Sequence, residues 1–255
     1  MNQTALDASA SLLQRAHVLD ACRDGGVGRS TIAERAGCSR TTAYRATSEL
    51  VERGLLEQNE GGYRLTGFGA MLLDQVERFQ ARLDGARQLR PLLEYVDAPP
   101  LVEHAHLFRD ATVIEADPET PYRIDQRLES IIGDTSREML GATSTFSSPA
   151  VMETAYEVIR SGVEVHWVLT QSTFEMVREF HGEGHDELRD LEFTSTHAVE
   201  SIPVDVAIYD DTLVVPGFDD ETGVLGAIAT TENASAVEWA RERIESLQAS
   251  GERLD

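Results

Sequence analysis

Residues 28–66 read GRSTIAERAGCSRTTAYRATSELVERGLLEQNEGGYRLT, and no other stretch limits the fold of this chain as strongly. Ser30 falls where a helix N-cap belongs, with Thr31 beside it and Glu34 three residues after Thr31, at capping-box spacing. Ile32, Ala33 and Ala36 give a small apolar face to a helix of two turns. Gly37 follows, free to take positive φ at a helix end. Ser39 is placed to cap a second helix, which carries Tyr44, Thr47, Leu50 and Val51 at helical spacing and stops near Gly54. The Ala33/Gly37 spacing suits the close approach of two helices across a short turn. Leu55, Leu56 and Tyr63, Leu65 then bracket Asn59-Glu60-Gly61-Gly62, a hairpin turn between short strands. Helix, turn, helix, strand, turn, strand is the plan of a winged helix-turn-helix.

In that plan the start of the second helix faces the base edges in the major groove. Arg40 and Arg45 are the expected main contacts, because Arg pairs bidentately with guanine. Ser39, Thr41, Thr42 and Tyr44 are expected to hold phosphate or stack against the backbone, and Arg29 and Ser30 are counted with the same set. The wing tip is short and acidic, leaving Arg64 as its phosphate contact. Each residue also has a plainer reading. A helix start rich in Ser, Thr and Arg is often a good cap with solvated charges, and Tyr44 fits equally as a core ring between the two helices. The complete string of elements favours double-stranded DNA as the partner.

Charge supports this only in relative terms. The chain carries 45 acidic residues against 22 basic ones, a net charge of −23; all 22 are arginine and none is lysine. At molar salt the Debye length is about 3 Å, so the self-repulsion of such a surface is screened. The composition is that expected of an extreme halophile, most readily an archaeon. The charge is uneven: residues 1–87 hold 11 Arg and 11 acids, whereas residues 88–255 hold 11 Arg and 34 acids. A segment that meets phosphates has reason to escape the acidic bias.

Two cysteines, Cys22 and Cys38, do not make a disulfide scaffold in 255 residues. Cys38, in the turn before the reading helix, is read either as a redox sensor or as a small buried cysteine between helices. There is no apolar run of 18 residues, and the polar start MNQTALDASA lacks a signal-peptide pattern, so a cytoplasmic protein is expected.

The chain divides into a winged helix-turn-helix at 1–66, a helical connector at 67–100 and an α/β sensor domain at 101–255. A first helix is expected over 7–23, with Leu12, Leu13, Ala16, Leu19 and Ala21 inward. The connector helix, 70–89, bears Met71, Leu72, Val76, Phe79 and Leu83, a pattern that fits packing within the chain or against a second copy. Asp97-Ala98-Pro99-Pro100 reads as a linker. Beyond it, strands at 112–116, 139–144, 163–170, 191–196, 204–209, 213–216 and 224–230 are interleaved with helices at 122–133, 149–161, 173–180 and 234–249. That order predicts a mixed sheet. Asp210-Asp211 marks a hairpin turn.

With STIAERAGCSRTTAYRATSELVERGLLE in front and MLGATS, VEVHWVLT, VDVAIYDDTLVV and GVLGAIATTE behind, the chain resembles archaeal transcriptional regulators of the methanogenesis-regulator type. The resemblance spans nearly the whole chain and implies a sensor domain similar to the phospholipase D-like fold of archaeal sugar-transport regulators. Phospholipase D chemistry uses a His nucleophile, a Lys two residues on and an Asp five residues after the Lys. Aligning Asp210 with that Asp puts Asp205 at the Lys position and Pro203 at the His position, and a chain without lysine cannot hold the motif. The reading is a lost active site with a retained pocket for a small effector, with no catalytic residue, cofactor or metal expected. A phosphodiester or lipid hydrolase, and a winged helix used for protein contact, are the alternatives.

The effector pocket is placed at Ser144, Thr145, Ser147 and Ser148, where a helix start near Pro149 can receive an anion, with His166 and Asp205 added. The resemblance to sugar regulators points to a metabolite, with a phosphorylated one considered. The hydroxyl cluster also fits a capped loop, and His166 a core histidine. His104, His106, His181 and His185 lack the thiolate neighbours and spacing of a metal site and are read as loop histidines. The function expected is a homodimeric DNA-binding regulator that senses a small molecule.

Overall fold

The computed structural model describes residues 3–96, 99–145, 147–179, 194–219 and 221–254, with side chains from residue 10 onward. Its contacts divide it into two compact units, Met1–Ala81 and Arg82–Asp255.

The first unit holds α1 (Gln3–Asp20), α2 (Arg29–Arg35), α3 (Arg40–Glu52) and an antiparallel hairpin of β1 (Leu56–Asn59) and β2 (Gly62–Leu65). The helix α4 (Gly67–Gln88) begins here and ends in the second unit. Leu19, Ile32, Leu50, Leu55 and Leu56 are fully buried and form the core. The winged helix-turn-helix is present as read, with two local corrections. Helix α2 starts at Arg29 with Gly28 as its N-cap and no side-chain cap, so Ser30 lies inside the first turn. Backbone pairing of Val27 with Tyr63, at 3.1 and 3.0 Å, holds the chain extended up to Gly28 and sets that earlier start. In α1, Leu13 is exposed and Val18 takes the inward place.

Gly37 has φ +59° and lets the chain turn between α2 and α3. Gly69 serves a close approach: a Cβ there would lie 2.0 Å from the Leu55 carbonyl oxygen. Helix α4 can rest on the hairpin only without a side chain at that point.

The second unit is built on an eight-stranded mixed sheet. Its strands are β3 (Thr112–Glu115), β4 (Glu138–Thr143), β5 (Glu164–Thr170), β6 (Thr194–Val199), β7 (Val206–Tyr209), β8 (Thr212–Phe218), β9 (Leu225–Thr231) and β10 (Glu252–Leu254), in the order β10-β6-β5-β4-β7-β8-β9-β3. The central β4, β5 and β6 are parallel and the other pairs antiparallel. Helices α6 (Arg123–Gly133) and α7 (Pro149–Arg160) cover one face. The other face is covered by α9 (Ala234–Ser250), the short α5 (Pro99–Glu103) and 3-10 turns at Leu92–Glu94 and Ala105–Phe108. Residues 171–179 form α8. Period-two alternation sorts the side chains: Leu140, Val168, Val206 and Ile208 face the α9 side, and Met139, Val165, Ala207 and Tyr209 face α6 and α7.

The strands and helices expected in this unit are present, their described ends lying within three residues of those expected; residue 180 of the expected helix 173–180 and residues 191–193 of the expected strand 191–196 lie outside the described residues. Asp210 and Asp211 make the two-residue turn between β7 and β8, with Asp210 at φ +53°. The stretch 97–100 is not a linker between units. Leu92 and Leu101, on either side of it, are both fully buried in the core against α9. Asp97 and Ala98 themselves lie outside the described residues.

Candidate functional site

The exposed start of α3 is the candidate nucleic-acid face. Ser39 adopts extended backbone angles, and its Oγ accepts the Thr42 N–H at 3.1 Å, which caps the helix. Its Oγ also lies 2.8 Å from Thr42 Oγ1. Two of the hydroxyls expected to hold phosphate, those of Ser39 and Thr42, are thus engaged in the cap. Arg40, Thr41, Tyr44 and Arg45 project to solvent. Tyr44 is 52% exposed and is not a core ring. Instead the Arg29 guanidinium lies 4.4 Å from its ring centroid and 5.3 Å from that of Tyr63. Ser30 is exposed on the first turn of α2.

The arginines of this unit fall into two groups. Arg15, Arg35, Arg53 and Arg78 pair with Glu49, Asp24, Glu49 and Asp74 at 3.0 to 3.3 Å, and Arg23 pairs with Glu77. Arg64 is bound by Glu57, its partner across the β1–β2 hairpin, which takes it out of the uncompensated set. Among the described residues Arg29, Arg40 and Arg45 make no ion pair. The near-balance of the unit, 9 Arg against 10 Asp and Glu, therefore hides uncompensated arginines at the start of the helix that reads DNA in this fold. Sequence reasoning picked Arg40 and Arg45 by position; the pairing of Arg15, Arg23, Arg35 and Arg64 with Glu49, Glu77, Asp24 and Glu57 is visible only in the tertiary structure.

In the second unit a cavity of about 150 Å³ lies between the sheet and the α6–α7 pair. Trp167 forms part of its wall. The indole lies flat against Gly141, where a Cβ would come within 2.5 Å of the ring, and its N–H donates to Thr143 Oγ1 at 2.9 Å. Tyr209 is 6.5 Å away, centroid to centroid, and burial pushes its phenol well above the ordinary value, so it keeps its proton. Of the expected pocket residues, only Thr145 and Ser147 line this cavity.

The others are held elsewhere. His166 sits between Val165 and Trp167 on β5, so alternation turns it to the opposite face, where it bonds Ser195 Oγ at 2.7 Å and Glu164 Oε1 at 2.9 Å. Ser144 is fastened to Asp205, its N–H and hydroxyl donating at 2.9 and 2.8 Å. The Asp205 carboxyl is 8% exposed. Burial raises it to about 6, against the opposing effect of the hydrogen bonds from Ser144 and Thr145. Ser148 is the N-cap residue of α7, with no side-chain cap bond. Ser144 and Asp205 lock the loop after β4 to the start of β7, and His166 lies on the other face of the sheet, so the expected set does not converge on one ligand.

His104 Nδ1 is 2.8 Å from the Pro100 carbonyl and its ring packs on Trp239, while burial lowers His106. His181 and His185 lie outside the described residues. No group of three His, Cys, Asp or Glu side chains among the described residues could hold a metal ion. Cys22 is buried and its thiol is pushed up to about 11 by that burial; Cys38 is half-buried in the turn before α3. No helix of the described residues is long and apolar enough to cross a membrane.

Fold and exposed helix together define a regulator of the winged helix-turn-helix class joined to an α/β unit. The family model of the middle domain of the methanogenesis regulatory protein FilR1 matches residues 121–250, and the model of the HVO_A0261 N-terminal domain matches residues 3–88. The chain belongs to the FilR1 middle-domain family of regulatory proteins. No curated protein sequence matches it significantly. Among solved structures it is similar to TrmBL2, described as an archaeal chromatin protein with a novel mode of DNA binding, at 12% identity and TM-score 0.46 over 89% of this chain and 88% of that one. It is also similar to NucT from Helicobacter pylori, at 12% identity and TM-score 0.46 over 56% and 98%. Nuc from Salmonella typhimurium, a phospholipase D family member, aligns at 14% identity and TM-score 0.43 over 56% and 98%.

Proposed function

We propose that this chain is a DNA-binding transcriptional regulator, without enzymatic activity, whose α/β unit receives a small-molecule effector. The observation that carries the reading is the set of uncompensated arginines, Arg29, Arg40 and Arg45, around the exposed start of α3 in a unit whose six other arginines are each bound to a carboxylate. Phosphate supplies the counter-charge that the protein withholds, and Arg supplies base contacts. The cavity beneath α6 and α7 supports the sensing part, since a pocket with a defined lining is what differential binding of an effector requires.

The protein acts as a homodimer in this reading. Phe68, Met71 and Phe79 share one face of α4 and are each more than half exposed, while Leu73 and Val76 pack inward. Two copies joined along that face would present two reading helices to half-sites about 34 Å apart.

The test is a mobility-shift assay at high salt on fragments recovered by genome-wide mapping of bound sites. The double variant Arg40→Ala/Arg45→Ala is expected to lose specific binding by at least a hundredfold with an unchanged melting profile. Retained affinity in a folded double variant overturns the assignment.

A further inference from the structure

The chemistry of the cavity is more specific than a general sensor pocket. Its sheet side presents Met139, Trp167, Tyr209 and Phe218, and its helix side Leu128, Met152 and Ala155. Among the described residues no Arg, His, Asp or Glu lines it; apart from the Trp167 N–H, the polar groups that do are hydroxyls, including Thr145, Ser147, Thr194 and Thr196. An anionic ligand there would meet no cation, and burying a charge without a partner is costly. The size points the same way. An apolar cavity of about 150 Å³ accepts one benzene ring, and the space here, mostly apolar in its lining, is about 150 Å³. Trp167 is held flat by Gly141 on one side and by Thr143 at its N–H. That leaves a rigid ring wall suited to offset or edge-on contact with a second ring.

We infer that the α/β unit binds a compact, uncharged, single-ring aromatic compound between Trp167 and the α6–α7 pair, with a hydroxyl or carbonyl group met by the threonine and serine hydroxyls. This rests on the sensing reading above and replaces the phosphorylated metabolite as its ligand class.

Iodobenzene is a suitable probe, because its heavy atom quenches an indole in contact with it. The chain has two tryptophans; Trp239 packs on Phe108 at the opposite face of the sheet. Titration of the full-length protein is expected to give saturable quenching that is absent in Trp167→Phe, and calorimetry of the wild type gives the same midpoint. Ala155→Phe, which fills the cavity, is expected to weaken binding at least tenfold; if its circular dichroism shows misfolding, Ala155→Leu serves with a smaller loss. Quenching that rises linearly without saturation, or saturable binding of glucose 6-phosphate that displaces iodobenzene, overturns the inference. The same titrations on the DNA-bound protein separate the two claims. Saturable iodobenzene binding with unchanged DNA affinity keeps the cavity assignment and removes the sensing reading. A shift in DNA affinity caused by glucose 6-phosphate, without saturable iodobenzene binding, does the reverse.

Discussion

The guanidinium carbon of Arg29 stands 4.4 Å from the centre of the Tyr44 ring. The contact ties the first turn of α2 to the outer face of α3, and it keeps a positive charge beside Arg40 and Arg45 without neutralising it. A carboxylate partner would have fixed the helix equally well and cancelled the field.

A double-mutant cycle on Arg29→Ala and Tyr44→Ala is therefore expected to show a coupling of about 0.5–1 kcal/mol in the stability of the first unit. Thermal denaturation of the four proteins measures it. Additive losses would mean that the two side chains stand near one another without mutual stabilisation.

The exposed face of α4 makes a prediction about assembly. Phe79→Glu, alone or with Met71→Glu, is expected to convert a dimer into monomers in sedimentation velocity and to weaken DNA binding at least tenfold, because both half-sites must then be found independently. A monomeric wild type at working concentration would remove the homodimer from the proposal.

Gly69→Ala is expected to cost about 1–3 kcal/mol, the range of overpacking a tight site, because the new Cβ would run into the Leu55 carbonyl. Gly28→Ser is the counterpart. Nothing lies within 4 Å of a Cβ there and its backbone is extended, so a side-chain cap is available to α2. That variant is expected to raise stability by a few tenths of a kcal/mol, roughly the Gly-to-Ser difference at an N-cap. Melting curves of the two variants should move in opposite directions.

Asp205 imposes a pH dependence of definite sign. Its carboxyl titrates at about 6 in the fold against an ordinary 3.8. The folded state therefore holds the proton more tightly than the unfolded chain. The stability from this group is complete below pH 3.8 and is lost as pH rises through 6. A shift of that size corresponds to about 3 kcal/mol. Asp205→Asn keeps an oxygen for the Ser144 N–H and removes the titration. Its stability relative to wild type should therefore climb between pH 4 and pH 7. A flat difference across that range would mean that the carboxyl is not raised.

Much of this was readable in the sequence because the signals were local. Ser39 caps the helix it precedes, Gly37 turns between the two helices, and Asp210-Asp211 closes a two-residue hairpin; each depends on near neighbours alone. Alternating apolar strands between amphipathic helices gave the mixed sheet for the same reason. The effector site was less legible. Ser144, His166 and Asp205 looked like site residues because polar groups beside an apolar strand stand out in a string of letters. Which face of the sheet each one meets depends on register, and register is set by strands far apart in the chain.

Local propensity and period determined the winged helix-turn-helix with its reading helix and arginines, the mixed sheet behind it, and the uneven charge between the front and the rest; the boundary between the units, at Ala81 within α4, was decided by tertiary contacts. Only the folded chain decided which arginines stay uncompensated, because Glu49, Asp24, Glu77 and Glu57 reach Arg15, Arg35, Arg23 and Arg64 across turns and between elements. It also decided what the second unit encloses. Gly141 and Trp167 lie on neighbouring strands, and one missing side chain lets the other's ring form a cavity wall. No spacing along a single strand encodes that contact, since it exists only once β4 and β5 are paired in register.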